Sequence, residues 1–514
     1  MRRIHHPLVE RLYDTASTRR IEQAALAILP PHSLMARAGA AVAHLALALT
    51  PHARRIWVAC GPGNNGGDGL VAATELYRWA RSAGRPLDVV VTLCADPARM
   101  PPDAAHALAE ARAAGLSPSR DAPETFDLAI DALLGIGALR APDGTLARHL
   151  QRLQDSTAPV LCIDLPSGLD ANTGACILGP RRHPLPGPRH TLSLLTLKPG
   201  LFTADGRDQA GTVWLDSLGV DLPGDMPVTA LLQGGWGAQS ARVHAAHKGL
   251  HGDVLVIGGQ SIAATGSGMT GAAVLAARAA LYAGAGRVYL CPLGDDAPSW
   301  DPACPELMVR RWHAVHQGDL LERATVVCGC GGGQAVAAVL PTVLQRAGKL
   351  VLDADGLNHV ADSAQLQAAL SQRNPAGRTT VITPHPLEAA RLLGQSTGEV
   401  MADRLASAQA LSLRYSAVCV LKGSGTVISA AGEVPRINAS GNAALATAGT
   451  GDVLAGIIGA TLAAGDHAEP LVSRVARAVH LHGWLADQWI NAGIDGESYA
   501  TLTADALARA ARPI

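Results

Sequence analysis

The sequence predicts an α/β protein of two domains, and three observations carry that prediction. Short apolar runs rich in Val, Ile and Leu alternate with Ala-rich stretches of helical period, the pattern of a parallel sheet with helices on its faces. The alternation occurs twice, on either side of a stretch dense in Gly, Pro and Asp. A chain of 514 residues also exceeds what one ordinary hydrophobic core organises.

In the first segment the candidate strands are Arg55–Ala59, Leu87–Leu93, Leu128–Ile130, Pro159–Ile163 and Thr191–Leu195. The pattern Leu70–Ala80 between the first two is amphipathic, with Leu70, Leu76 and Trp79 on one face. The second segment begins near His247. Its candidate strands are Val254–Ile257, Arg287–Leu290, Thr325–Cys328, Lys349–Leu352, Thr380–Ile382 and Ala417–Leu421. Gly219–Ser240 (GVDLPGDMP, then QGGWGAQS) reads as the connection, which sets domains at 1–222 and 241–514 and a linker at 223–240. Aromatics make up only 3% of the chain against 55 glycines, so both cores must be packed from Ala, Val and Leu.

Composition excludes several classes. A formal net charge of -1 gives no basic field for nucleic acid. The N-terminal MRRIHHPLVERLYD is basic but lacks the apolar core of a signal peptide. Met269–Cys291 is long and apolar yet holds Arg278, Arg287 and several glycines, so it reads as a buried helix and strand rather than a membrane span. Nine irregularly spaced cysteines imply reduced thiols and a cytoplasmic location. Cys328-Gly-Cys330 has no matching Cys or His pair at ligand spacing and reads as small buried side chains.

The first chemical signal is CGPGNNGGDGL (Cys60–Leu70), in which Gly61, Gly63 and Gly66 spell G-x-G-x-x-G after a strand. A dinucleotide loop of that kind is bland around its glycines. Here Asn64, Asn65 and Asp68 crowd it, and an anionic Asp68 would repel a phosphate at the helix start. The expected ribose carboxylate has no clean candidate, since Asp96 falls late. Two further strand-end loops, DALLGIG (Asp131–Gly137) and IDLPSGLD (Ile163–Asp170), would converge on the same crevice. Asn65, Asp131, Asp164 and Ser167 would then form a hard-oxygen cluster suited to a cation and to proton transfer.

LMARAG (Leu34–Gly39), GPGNNGGDG, DALLGIG, DLPSG and TLKPG (Thr196–Gly200) together resemble the NAD(P)H-hydrate epimerase domain, over roughly residues 10–220. The resemblance implies a Rossmann-like three-layer sandwich. It implies that Asn64, Asn65, Gly66, Gly67, Asp68, Gly135, Ile136, Gly137, Ala138, Leu139 and Arg140 line the hydrated nucleotide and that Asp164 contacts it. Asn65, Asp131 and Ser167 would hold K⁺, and Asp164 with Lys198 would handle protons. The family usually has Glu after Leu-Met, where this chain has Ala36.

In the second segment ATAGTGDVLAGIIGATLAA (Ala446–Ala464) is a Gly-rich turn opening an apolar helix, Val453–Ala463. Gly449, Gly451 and the first helical amides suit a phosphoryl group in flight, and Asp452 suits proton removal from the attacking hydroxyl. As a bare motif the Asp would equally be an N-cap after a glycine turn. KGSGT (Lys422–Thr426) supplies a cation and close backbone approach for nucleotide phosphates, while LDADGLN (Leu352–Asn358) and TPHPLE (Thr383–Glu388) end two other strands. With HKG (His247–Gly249), VIGG (Val256–Gly259), TGAA (Thr270–Ala273), PELMV (Pro305–Val309) and GNAALATAGTGD (Gly441–Asp452), these resemble the ribokinase-like fold, in its ADP-dependent NAD(P)H-hydrate dehydratase branch, over roughly residues 240–510.

By that resemblance Ala272, Gly331, His385 and Asp452 contact the hydrate, with Asp452 catalytic, and Lys422, Gly423, Ser424, Gly425, Thr426 and Gly451 contact ADP. Sugar kinases organise Mg²⁺ with Asn-x-x-Glu; His385-Pro-Leu-Glu388 stands in its place, leaving Glu388 for the Mg²⁺ shell. A second departure is Cys330, where the family usually has Pro. The implied activity is repair: R- and S-NAD(P)HX are epimerised, and S-NAD(P)HX is dehydrated with ADP to NAD(P)H, AMP and phosphate. The expected partners are NADHX, NADPHX and ADP, with no nucleic acid or membrane, and a homo-oligomer is expected. Three other readings use part of the pattern: a Rossmann dehydrogenase, which leaves GTGD and KGSGT idle; a vitamin kinase, which would release a stable phosphorylated product; and a non-catalytic binding module, against which Asp131, Asp164 and Ser167 speak.

Overall fold

The computed structural model describes all residues except 6–7, 138–139, 180–182, 236–243, 295–298, 465–468, 493–501 and 512–514. The chain divides into two compact units, one of Met1–His5 and Arg11–Ala230, the other of His6–Glu10 and Leu231–Ile514.

In the first unit, alternate residues of the strand Arg55–Cys60 face opposite ways, as the period-two geometry of a strand requires. Ile56, Val58 and Cys60 enter a core built with helices Ser33–Leu49, Asn64–Ser82 and Pro102–Ala113. Trp57 and Ala59 enter a smaller core with Leu150 and Leu153 of helix Gly144–Gln154. Helices therefore cover both faces, giving three layers. The sheet runs Arg2–Arg3, Thr212–Asp216, Arg189–Leu194, Val160–Ile163, Leu128–Ala132, Arg55–Cys60, Asp88–Leu93. All pairs are parallel except the Arg2–Arg3 edge.

The chain runs outward from Arg55–Cys60 to Asp88–Leu93, then returns to the other side at Leu128–Ala132. That reversal is a topological switch point, where the carboxyl ends of neighbouring strands leave a crevice. All five expected strands are present. The basic N-terminus and the stretch Thr212–Asp216 add two more, which are short and lack a bounding motif. Leu70 and Leu76 are fully buried as expected, whereas Trp79 is only half-buried.

The second unit repeats the logic. Its sheet runs Met308–Val309, Arg287–Leu293, Asp253–Gln260, Thr325–Cys328, Lys349–Leu352, Thr379–Ile382, Val418–Leu421, Val427–Ser429, Arg436–Asn438, Ala230–Gln233. Pairing is parallel as far as Val418–Leu421 and antiparallel through the next two pairs. Its switch point lies between Asp253–Gln260 and Thr325–Cys328. Met269–Cys291 resolves into helix Thr270–Tyr282 and the start of strand Arg287–Leu293, as read from the sequence. Among the described residues no helix is long and apolar enough to cross a membrane.

Small side chains set the packing. A Cβ on Gly456 would lie 2.1 Å from the Ala276 carbonyl, so helix Thr450–Ala463 rests directly on the backbone of Thr270–Tyr282. The stretch 223–240 is not all connection, because Ala230–Gln233 forms a strand pairing in parallel with Arg436–Asn438. Residues 236–240 of that stretch lie outside the described residues.

Candidate active sites

The Gly-rich stretch of the first unit is not a loop leading to a helix; most of it is the helix. Helix Asn64–Ser82 begins six residues before the periodic pattern, so Asn64–Gly67 form its opening turn behind an extended Gly63, with Asp68 just beyond. Packing rather than propensity starts the helix there. A Cβ on Gly61 would sit 1.7 Å from the Leu133 carbonyl, and one on Gly66 would sit 2.1 Å from the Gly61 carbonyl. Gly61→Ala should therefore destabilise the first unit by about 2 kcal/mol or more, the scale of overpacking at a rigid site. A calorimetric scan showing an unshifted first-unit transition would contradict this account of the fingerprint.

The DALLG and DLPSG loops are stitched together at this crevice. Asp131 is the penultimate residue of its strand, with 3% exposure. Its carboxylate accepts from Ser167 Oγ at 2.6 Å, Ser167 N–H at 2.9 Å and Leu133 N–H at 3.2 Å. Leu134 N–H in turn donates to Ser167 Oγ at 2.9 Å. Burial pushes the Asp131 carboxyl above its usual range, against the pull of these hydrogen bonds. Asn65 lies beside Gly135, and its amide nitrogen is buried with no hydrogen-bond partner among the described residues.

Asp164 has a left-handed backbone, φ 65°, and accepts from Leu194 N–H at 3.0 Å and from the Lys198 ammonium. Lys198 is fully buried and also donates to the carbonyls of Leu194 at 2.7 Å and Thr196 at 3.0 Å. Burial raises the Asp68 carboxyl, and Asp164, Glu22 and Asp103 add like-charge repulsion. Gly135, Ile136 and Gly137 are half-buried or exposed along this loop and Arg140 is exposed; Ala138 and Leu139 lie outside the described residues. Sequence reading missed Glu22, a half-buried carboxylate whose acidity is weakened by burial and by Asp164. It carries no motif, and Lys198 also acts on it electrostatically.

In the second unit the ends of four parallel strands, Thr325–Cys328, Lys349–Leu352, Thr379–Ile382 and Val418–Leu421, meet. Asp353 follows strand Lys349–Leu352 with 1% exposure, and its Oδ1 accepts from Lys422 Nζ at 2.7 Å and from Thr383 Oγ1 at 2.7 Å. Burial works against the Lys422 charge, but Asp353 and Glu388 outweigh it and hold the ammonium above its usual range. A Cβ on Gly451 would lie 3.4 Å from Lys422 Nζ, which brings the KGSGT and GTGD stretches together. Ala272 and Gly331 are also adjacent, at 2.8 Å on the same measure. Sequence reading missed Asp353 and Thr383, although LDADGLN and TPHPLE contain them.

Asp452 is not the helix cap. Gly449, at φ 91°, occupies that position, and Asp452 is the third residue of helix Thr450–Ala463. Its side chain is thereby released for chemistry. Burial, with Asp353 nearby, pushes its carboxyl up to about 6, partly offset by Cys330 and Lys422. Cys330, Asp353 and Asp452 bring one ligand atom each within 4.8 Å of one another, so this thiol belongs to the site and not only to the core. Cys328 stays inside its strand.

His385 caps helix Pro386–Leu393 through a capping box. Its Nδ1 accepts from Leu387 and Glu388 N–H at 3.2 Å each, and Glu388 accepts from His385 N–H at 2.8 Å. That network leaves the proton on Nε2, which lies 3.3 Å from the other Glu388 oxygen. Burial and Lys422 lower the His385 imidazole, so its neutral form is favoured. Burial pushes Glu388, at 3% exposure, up to about 7. Ser424 is exposed, Gly425 buried, and Thr426 Oγ1 donates to Gly423 O at 3.0 Å, closing the hairpin between Val418–Leu421 and Val427–Ser429. Two groups remote in sequence secure the Gly441–Asp452 stretch: buried His482 bonds the Thr450 carbonyl at 2.8 Å, and Asp487 accepts from Gly441 N–H at 2.8 Å. Both sit on a helix with no motif of their own.

Comparison with known proteins gives two family matches: residues 31–200 with the family described as YjeF-related protein N-terminus, and residues 254–509 with NAD(P)H-hydrate dehydratase. The bifunctional NAD(P)H-hydrate repair enzyme Nnr of Escherichia coli K12 is 38% identical over 477 residues, covering 89% of this chain and 85% of that protein. Its namesake from Vibrio cholerae is 34% identical over 504 residues, covering 94% of each. Among solved structures, the ADP/ATP-dependent NAD(P)H-hydrate dehydratase of Bacillus subtilis, co-crystallized with ATP and Mg²⁺, is 30% identical. It covers 53% of this chain and 91% of its own, with a TM-score of 0.43.

Proposed function

The chain belongs to the bifunctional NAD(P)H-hydrate repair enzymes, and on that premise we propose how its own residues divide the two reactions. Epimerisation of R- and S-NAD(P)HX belongs to a domain at 1–222, and ADP-dependent dehydration of S-NAD(P)HX to one at 241–514. NADHX, NADPHX and ADP are the substrates, in the cytoplasm, and the enzyme is a homo-oligomer.

In the epimerase site, Asn64–Asp68 and Gly135–Arg140 flank the nucleotide. Asp164 and Lys198 exchange the proton needed as the C6–O bond opens and closes. Asn65, Asp131 and Ser167 would hold K⁺. The donor set fits: a carboxylate, an amide and a hydroxyl, with Asp131 buried and in no ion pair among the described residues. A bound cation there would supply positive charge to the anionic nucleotide.

In the dehydratase site, Ala272, Gly331 and His385 position the hydrate, while Lys422–Thr426 and Gly451 hold ADP. Asp452 takes the proton of the C6 hydroxyl as its oxygen attacks the β-phosphorus and AMP leaves. The ring nitrogen then expels phosphate from C6, and loss of a C5 proton from the resulting iminium to water restores the C5–C6 double bond of the dihydropyridine. Glu388 would serve the Mg²⁺ shell; a buried carboxylate pushed up to about 7 is one that a dication would keep ionised. The observation that carries this reading is the convergence of Lys422, Asp353 and Asp452 at the Gly451 turn. The test is to mix purified protein with the NADHX epimers and ADP and follow NADH absorbance. A stable phosphorylated product, or no NADH, would sink it.

A pH dependence follows. Asp452 acts only when ionised, and its folded-state pKa is about 6. Dehydratase kcat/KM should therefore fall as pH drops through about 6, with epimerisation following a different profile. An acid limb near 4 would assign the proton to another group.

A further inference from the structure

We propose that Arg404 is a positioning residue for ADP, aiming a backbone N–H of the KGSGT turn at the nucleotide phosphates. The inference rests on the reading of Lys422–Thr426 as the nucleotide loop.

Arg404 opens helix Arg404–Tyr415 and is fully buried. Its Nη2 donates to the carbonyls of both Leu421 and Lys422, each at 3.2 Å. A trans peptide points its C=O and N–H in opposite directions, so holding one end aims the other. The first of these peptides illustrates the geometry: Leu421 O faces Arg404, and its Lys422 N–H donates to Pro384 O at 2.9 Å. In the second, Lys422 O faces Arg404, which turns the Gly423 N–H away from the guanidinium. Gly423 is exposed, and that N–H has no acceptor among the described residues. The peptide thus offers a fixed donor beside Lys422, the cation of the same turn.

Gly423 matches this arrangement. Its φ is 134°, and a Cβ there would lie 2.8 Å from Arg404 Nη1. The guanidinium occupies the space that any side chain at 423 would need. A lysine at 404 would keep the charge but lose the planar guanidinium, whose second nitrogen, Nη1, backs Gly423 while Nη2 holds the carbonyls.

The experiment uses the full chain, with Arg404→Met and Arg404→Lys assayed for both activities. KM for ADP should rise about tenfold or more in Arg404→Met, on the scale of losing hydrogen bonds to a charged donor, and less in Arg404→Lys. KM for the hydrate and the epimerase rate should hold, and kcat at saturating ADP should change little. A folded Arg404→Met with parental KM for ADP overturns the inference. Should burial of Arg404 make both variants unfold, Gly423→Ala decides on the exposed side of the contact: it should raise KM for ADP similarly, and a parental value overturns the inference. Lys422→Ala separates the two levels. If it too leaves KM for ADP unchanged, the nucleotide loop itself has been misassigned; if it alone raises KM, only the role of Arg404 fails.

Discussion

Asp452→Asn should lower ADP-dependent dehydration by about 10²–10⁴-fold, the range for losing a positioned general base that also orients the nucleophile. The carboxylate is the third residue of its helix, while the cap is Gly449 and its backbone is steadied by His482 on Thr450. Nothing structural depends on the charge. The folded state instead bears a cost for it: the carboxyl is held up to about 6 by burial and by Asp353, so its stabilising contribution is complete below the unfolded value and lost as pH rises through about 6. Removing the charge removes that loss. At pH 7–8 the Asn variant should therefore melt no lower than the parent, with ADP still raising its Tm through Lys422–Thr426. Epimerisation should be parental. Near-parental dehydration would refute the base assignment, whereas a lower Tm would show that Asp452 supports the fold after all.

Which parts of this were legible in the sequence follows from how locally each part is determined. The long parallel strands were readable because a strand buried on both faces must be a run of apolar residues. Thr212–Asp216 and Ala230–Gln233 were missed because the first is only partly buried and the second lies within a Gly- and Pro-rich stretch, so neither is a bounded apolar run. The start of helix Asn64–Ser82 was misplaced because its glycines have poor helix propensity, and only the contacts of Gly61 and Gly66 with the neighbouring loop decide it. For the same reason Asp452 reads as a cap in isolation, while Gly449 takes that place in the fold. Motif residues at strand ends were found because parallel topology gathers them. Glu22, His482 and Asp487 reach the two sites from helices, and nothing in their local sequence marks them.

Asp164→Asn should slow epimerisation by about 10²-fold or more, the usual scale for a lost acid–base group. Asn is the right probe, because position 164 has φ 65° and Asn tolerates the left-handed region better than most residues. The amide oxygen can still accept from Leu194 N–H. One consequence separates this variant from Asp452→Asn. Lys198 is fully buried and loses its counter-charge, and breaking a buried pair from one side costs about 3–5 kcal/mol. Carbonyls of Leu194 and Thr196 soften that loss by keeping their hydrogen bonds to the ammonium. The first unit should accordingly melt earlier, and Asp164→Asn/Lys198→Met should recover part of the stability without recovering the rate. Dehydration of S-NAD(P)HX should proceed at the parental rate in both variants, since other residues perform it. Epimer exchange is read by NMR at a temperature where circular dichroism shows both variants folded. Parental exchange in folded Asp164→Asn would remove this carboxylate from the mechanism, and a double variant as fast as the parent would remove the pair.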